Sequence, residues 1–268
     1  MSSDLVERFC TVPFMPLTDF DTKAIASAER FNIPFEELTI LCYSWGSGKT
    51  VLLVHGWGSR ASHLTPLARV LSSSGFKVIA FDMPAHTSVN GTTLKDKSNM
   101  FEFCKAISAV AKNIEPVYAV VGHSLGAASS LFTVAGHLAL ADYEFDVEKL
   151  VLISSPTGVG SMIKRFCKTN GLNHDEELKL THGLETDFNF RIDNYYIPTA
   201  AKNVNAQILV IHDADDEEIS INEAIEIAEA SSETQTLFTS GSGHYKILVN
   251  RTMLAGVKDF LLKQQEVF

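Results

Sequence analysis

Short apolar, β-branched runs alternate with longer helical segments along this chain, and that alternation restricts the fold more than any other feature. Runs at 51–54, 78–81, 117–121, 150–153, 208–211 and 236–239 read as strands, with an earlier one at 38–45. Segments 64–73, 95–111, 125–140, 221–230 and 245–263 read as helices. Strands with no polar face must be buried on both sides, and only helices packed above and below the sheet can do that. The expected class is therefore α/β, a mostly parallel open sheet with helices on both faces.

Local signals sharpen this expectation. Gly46-Ser47-Gly48 predicts a hairpin between 38–45 and 51–54. Ser220, with Glu223 three residues on, predicts a capping box, and Pro66 fits a first helical turn. Only 156–204 breaks the alternation, with a helical piece at 176–182 and the large side chains Met162, Phe166, Phe188, Tyr195 and Tyr196. It is expected to form a small lid inserted into a core built from 1–155 and 205–268. No internal repeat, low-complexity tract or Pro-rich linker interrupts the chain.

With 22 Lys and Arg against 32 Asp and Glu, the net charge is −10, the wrong sign for gripping nucleic acid or an anionic membrane. Cys10, Cys42, Cys104 and Cys167 form no CxxC pair, so reduced thiols are expected, with neither a metal site nor a disulfide framework. Asp4, Glu7 and Arg8 near the start do not resemble a secretory leader, and a cytoplasmic setting is expected. Residues 116–141 lack Asp, Glu, Lys and Arg, but their serines, histidines and glycines fit a buried strand and helix better than a membrane span.

Chemistry concentrates at three places. Gly122-His123-Ser124-Leu125-Gly126 is a GxSxG pentapeptide where an apolar strand turns into a helix. There a serine takes a strained turn that projects its hydroxyl and leaves room only for small residues two positions either side. A general base and an orienting acid are then required, in the order Ser, acid, His. His244 stands among glycines in the last loop, where no apolar periodicity explains it, whereas His55, His63, His137, His174 and His182 read as structural. Asp213, Asp215, Asp216, Glu217 and Glu218 all follow the strand at 208–211. Asp213 is too near the strand end and the two glutamates too near the next helix, which favours Asp216, with Asp213 the alternative. An oxyanion hole needs two aimed N–H groups, expected from the backbone of Leu125 and of Trp57 in His55-Gly56-Trp57-Gly58.

Taken together these motifs resemble the α/β-hydrolase superfamily over nearly the whole chain. Its HG-x motif matches His55, Gly56 and Trp57; its nucleophile elbow matches Gly122 to Gly126; its H-G-x-x-D motif matches His212 to Asp216; and its G-x-H motif matches Gly241 to His244 with one extra glycine. Two segments depart from the pattern. The usual D-x-P-G-H-G reads Asp82-Met83-Pro84-Ala85-His86-Thr87, and Asp213 replaces the glycine of the acid motif. The resemblance implies a serine hydrolase that cleaves small carboxylic esters or thioesters through an acyl-serine, without cofactor or metal. It also implies a substrate pocket that includes His55, Gly56, His123, Met162 and Phe166. Acyl transfer to another acceptor, perhydrolysis, or ligand binding without catalysis are the alternatives on this fold. Oligomeric state is left open.

Three other features read as structural. Gly46-Ser47-Gly48-Lys49-Thr50 lacks the first glycine of a phosphate-binding loop, since Tyr43 stands there, and a strand follows it rather than a helix. Asp82 is expected to hold its loop, and Lys164, Arg165 and Lys168 to form a solvated helix face.

Overall fold

The computed structural model describes residues 2–86, 95–114 and 116–263; Thr87 lies outside them. Among the described residues the strands are β1 Glu29–Phe35, β2 Leu38–Trp45, β3 Lys49–Val54, β4 Phe76–Phe81, β5 Val117–His123, β6 Lys149–Ile153, β7 Gln207–Asp213 and β8 Gln235–Thr239. They form one eight-stranded sheet in the order β1-β2-β4-β3-β5-β6-β7-β8. Strands β3 to β8 run parallel, while β2 is antiparallel to both β1 and β4.

The helices are α1 Ser2–Cys10, α2 Asp19–Ala24, α3 Thr65–Ser72, α4 Met100–Asn113, α5 Leu125–Val134, α6 Val159–Asn170, α7 His174–Asp187, α8 Ile197–Ala200, α9 Ile221–Glu229, α10 Gly243–Lys246 and α11 Arg251–Leu262. Residues of α3 and α11 pack with Val51 and Leu53 in one core, and residues of α4, α5 and α9 pack with Leu52 and Val54 in a second core on the other face. The period of two thus sends neighbouring side chains of one strand into different cores, both apolar. Each such valine or leucine, fully buried, contributes roughly 1.5–3 kcal/mol. The segment 116–141 lies within this core as β5 and α5, and no described helix is long and apolar enough to cross a membrane. The four cysteines are free and buried.

The structure corrects the predicted hairpin. Strand β2 pairs with β1 and β4 and not with β3, because the Gly46-Ser47-Gly48 link arcs over the start of β4. Both glycines have positive φ, and a Cβ on Gly46 or Gly48 would stand 2.5 Å from the Phe76 carbonyl oxygen or 2.1 Å from that of Gly75. The true hairpin partner, β1, is masked in the sequence by Asn32 and Pro34; an edge strand tolerates proline because one row of its N–H groups faces outward.

Helix boundaries move where side chains cap. The helix expected from residue 95 starts at Met100, after Asn99 accepts the Glu102 N–H. The one expected over 125–140 ends at Val134, ahead of Gly136 in the left-handed region. The last breaks at Asn250, whose side chain caps Met253 and restarts the chain as α11. The expected capping box is absent too. Ser220 accepts the Asn222 N–H, but Glu223 turns away and accepts from the Thr157 N–H at 2.8 Å and the hydroxyls of Thr157 and Ser161. Its carboxylate ties α9 to the start of the segment 156–204, whose helices α6, α7 and α8 lie between β6 and β7 in the chain.

Candidate active site

Strand β5 carries Ser124 to the edge of the sheet and stops there. Ser124 adopts φ 54° and ψ −124°, a conformation that costs an L-residue roughly 1–3 kcal/mol and persists only when its surroundings enforce it. Those surroundings are visible. The Ser124 N–H donates to the Ile153 carbonyl at 2.9 Å, and α5 starts at the next residue. A Cβ on Gly122 would come within 2.5 Å of the Ala127 Cα, and one on Gly126 within 2.3 Å of the His55 carbonyl oxygen. Both glycines of the pentapeptide are therefore dictated by close backbone approach.

Two loops at the same sheet edge complete a chain of hydrogen bonds. His244, in α10 after β8, places Nε2 3.1 Å from Ser124 Oγ and Nδ1 2.8 Å from Asp216 Oδ2. The other oxygen of Asp216 accepts the Glu218 and Ile219 N–H groups at 2.9 and 2.8 Å. Burial works against a charge on Asp216, but the hydrogen bond and field of His244 outweigh it and hold the carboxyl below the usual carboxylate range. A carboxylate there fixes the Nδ1–H tautomer and leaves Nε2 free to accept the serine proton.

Three further histidines brace this arrangement. His123 Nε2–H donates to the His244 carbonyl at 2.9 Å, and burial, with His244 alongside, pushes its imidazole down to about 3. His212 Nε2–H donates to the Ile219 carbonyl at 2.9 Å, closing the loop that carries Asp216. His55 is completely buried, donates from Nδ1 to the Gly56 carbonyl and accepts the Met83 N–H at Nε2. It links two loops but lines neither space beside Ser124, which corrects its expected place in the pocket.

The remaining expected site residues surround the serine. A Cβ on Gly56 would lie 2.8 Å from the Ser124 Cβ, so the Gly56-Trp57 turn presses against Ser124. The Leu125 N–H opens α5 and has no carbonyl one turn earlier to accept it. Trp57, Ser124 and Leu125 share a cavity of about 230 Å³ whose far walls include Met162 and Phe166. A smaller space of about 140 Å³ reaches Gly56, His123, Ser124 and His244. Among the described residues, no group of three or more His, Cys, Asp or Glu side chains could hold a metal ion.

Residues 51–167 match the alpha/beta hydrolase family. The whole described sheet has the same architecture, from the antiparallel β2 through the elbow after β5 to the final loop. This is an α/β-hydrolase fold. Solved structures that share it include the thioesterase domain from the curacin biosynthetic pathway (TM-score 0.63, 15% identity, 88% of this chain and 100% of that one). An esterase from Rhodococcus sp. follows it with TM-score 0.62 and 16% identity over 88% of this chain and 98% of that one. A serine hydrolase from Cycloclasticus zankles gives TM-score 0.64 and 16% identity over 87% and 98%. At these identities the likeness is one of fold. A serine hydrolase-like protein from Danio rerio is 27% identical over 171 residues, 60% of this chain and 49% of the relative. The match thus spans about half the length of that relative.

Within this hydrolase fold the structure also places side chains whose roles the sequence reading left open, assigned otherwise or missed. Asp213, at the end of β7, accepts the Thr239 hydroxyl at 2.7 Å and the N–H groups of Asp215, Ser242 and Gly243, so it fastens the loop that leads into His244. Burial opposes its charge, yet the Thr239 hydroxyl and these amides hold the carboxyl below the usual range. Arg165 is half-buried rather than solvated; it donates to the Glu218 carbonyl at 3.3 Å and lines both spaces beside Ser124. Lys164 and Lys168 are exposed. Asp82 accepts the Ala61 N–H at 2.8 Å, in keeping with a loop-holding role. Phe9 of α1 and Phe101 of α4 also line the larger cavity. The spacing of Leu5, Val6, Phe9 and Cys10 was a helical signal that could have revealed α1.

Proposed function

We propose that this protein is a serine hydrolase that cleaves carboxylic esters or thioesters through an acyl-serine intermediate. The observation that carries the reading is the unbroken relay from Ser124 Oγ through His244 to Asp216, with contacts of 3.1 and 2.8 Å, opening on an apolar cavity. Ser124 Oγ attacks the carbonyl carbon while His244 Nε2 takes its proton. The resulting oxyanion accepts hydrogen bonds from the N–H groups of Leu125 and Trp57. Collapse expels the alcohol or thiol, which leaves with the proton from His244. A water molecule then attacks the acyl-serine by the same route, giving the carboxylic acid and restoring Ser124.

Asp216 keeps its charge throughout and orients the imidazole. The insertion 156–204 serves as the cap on the acyl side, because Met162, Phe166 and Phe188 all wall the cavity. That solved structures of this fold include an esterase and a thioesterase supports the same reaction class.

Labelling with a fluorophosphonate probe tests the reading directly. The wild type should be labelled at Ser124, and Ser124→Ala should lose both labelling and roughly four to six decades of turnover on an activated ester. A Ser124→Ala protein that kept a tenth of the activity would end the proposal.

A further inference from the structure

The N-terminal helix α1 lies far in sequence from the insertion 156–204, yet it forms part of the same cavity wall. Its apolar face is buried through Leu5, Val6 and Cys10, but Phe9 on that face is only half-buried. The reason is that its ring lines the 230 Å³ cavity that also reaches Ser124. Phe9 meets Phe166 of α6 edge to face, with ring centroids 5.3 Å apart and planes at 81°. One residue earlier, Arg8 Nη2 donates to Asn170 Oδ1 at the end of α6 at 3.2 Å.

On its other side α1 is fastened to the segment before α4. The Ser98 N–H donates to the Cys10 carbonyl at 2.9 Å, the Val12 N–H donates to the Asp96 carbonyl at 2.8 Å, and Lys97 Nζ bonds Glu7 at 2.6 Å. Ser98 and Asn99 of that segment, and Phe101 of α4, line the cavity as well. Helix α1 therefore bridges two walls, one from the insertion and one from the core, and Phe9 is the side chain it contributes between them.

We infer that α1 completes the acyl-binding pocket and that Phe9 is a specificity-determining residue, limiting the length of an aliphatic acyl chain carried by Ser124. The inference rests on the acyl-serine reading. An apolar chain gains affinity from each methylene it buries, so a ring closing the space sets the length at which that gain stops. Removing the ring opens the pocket between α1 and α6. Enlarging it shortens the pocket, and the neighbouring Phe166 ring leaves it little room to move aside.

The test is kcat/KM for p-nitrophenyl butanoate, octanoate and dodecanoate with the wild type, Phe9→Ala and Phe9→Trp, alongside fluorophosphonate labelling of each protein. Phe9→Ala should raise the dodecanoate-to-butanoate ratio about tenfold and Phe9→Trp should lower it about tenfold, as expected for one or two methylenes gained or lost in an apolar pocket. Should Phe9→Ala fold poorly, the Phe9→Trp arm decides alone, since it deletes no packing. Labelled proteins whose ester ranking matches that of the wild type would overturn the inference and leave the acyl-serine reading standing. A folded wild type that neither labels nor hydrolyses any of the esters would overturn the reading itself.

Discussion

His244 Nδ1 and Asp216 Oδ2 stand 2.8 Å apart, although 28 residues separate them in the chain. Asp213, three residues before Asp216, does not touch the imidazole, and both of its oxygens are occupied by Thr239, Asp215, Ser242 and Gly243. Two buried carboxylates on one loop thus divide the work: one orients the ring, the other fixes the backbone that carries the ring.

This division predicts two different kinds of loss. In Asp216→Asn the amide oxygen must stay with the Glu218 and Ile219 N–H groups, because a buried N–H facing its NH2 would be left unpaired. The NH2 then faces His244 Nδ1 and forces the proton onto Nε2, where it blocks the transfer from Ser124. Turnover should fall by about four decades with the fold intact. Asp213→Asn can keep most of its contacts, since the Thr239 hydroxyl can turn to accept, and should cost on the order of tenfold. Steady-state kinetics with circular dichroism on both variants checks the order; the reverse ranking would make Asp213 the orienting acid.

Stability should fall as the pH drops from neutral. Burial pushes His86 down to about 4 and His123 down to about 3, whereas an unfolded imidazole titrates near ~6.5. Below that point the unfolded chain binds protons that the native protein refuses, so each histidine removes roughly 1 kcal/mol per pH unit until its native value is reached. Asp216 acts in the same direction over a lower range: its lowered carboxyl adds stability above the ordinary carboxylate range, which is lost only at more acidic pH. Urea unfolding at a series of pH values from about 7 to about 5 measures the slope, and His86→Leu should flatten it by one histidine's share. An unchanged slope in His86→Leu would remove that residue from the account.

Exchanges between alanine and glycine should have opposite signs in the loop after β4 and at the start of α5. Ala85 has φ 67°, which costs an L-residue roughly 1–2 kcal/mol, partly offset in glycine by its looser unfolded state. Ala85→Gly should therefore stabilise by up to about 1 kcal/mol. At Gly126 a Cβ would strike the backbone oxygens of His55 and Val54 at 2.3 and 2.6 Å, so Gly126→Ala should cost about 3 kcal/mol or more. Thermal unfolding of the two variants against the wild type reads both signs.

From the sequence alone the parallel strands, the serine at the end of β5 and the glycines around it were legible, because each depends on local chemistry. A period of two with apolar residues on both faces specifies a strand covered on both sides. A serine held at positive φ between close backbones requires glycine two positions away in each direction. Tertiary structure decided what joins residues distant in the chain. Strand β2 found β1 and β4 rather than β3 because the Gly46-Ser47-Gly48 link spans the start of β4. Glu223 left its own helix for Thr157 and Ser161, where one carboxylate oxygen meets three donors instead of the single N–H a capping box would offer. Helix α1 reached the cavity through Phe9, although nothing in its own spacing names the surface it covers. Such pairings follow from which distant groups satisfy one another's hydrogen bonds and bury one another's apolar faces, and that information resides in no single stretch of chain.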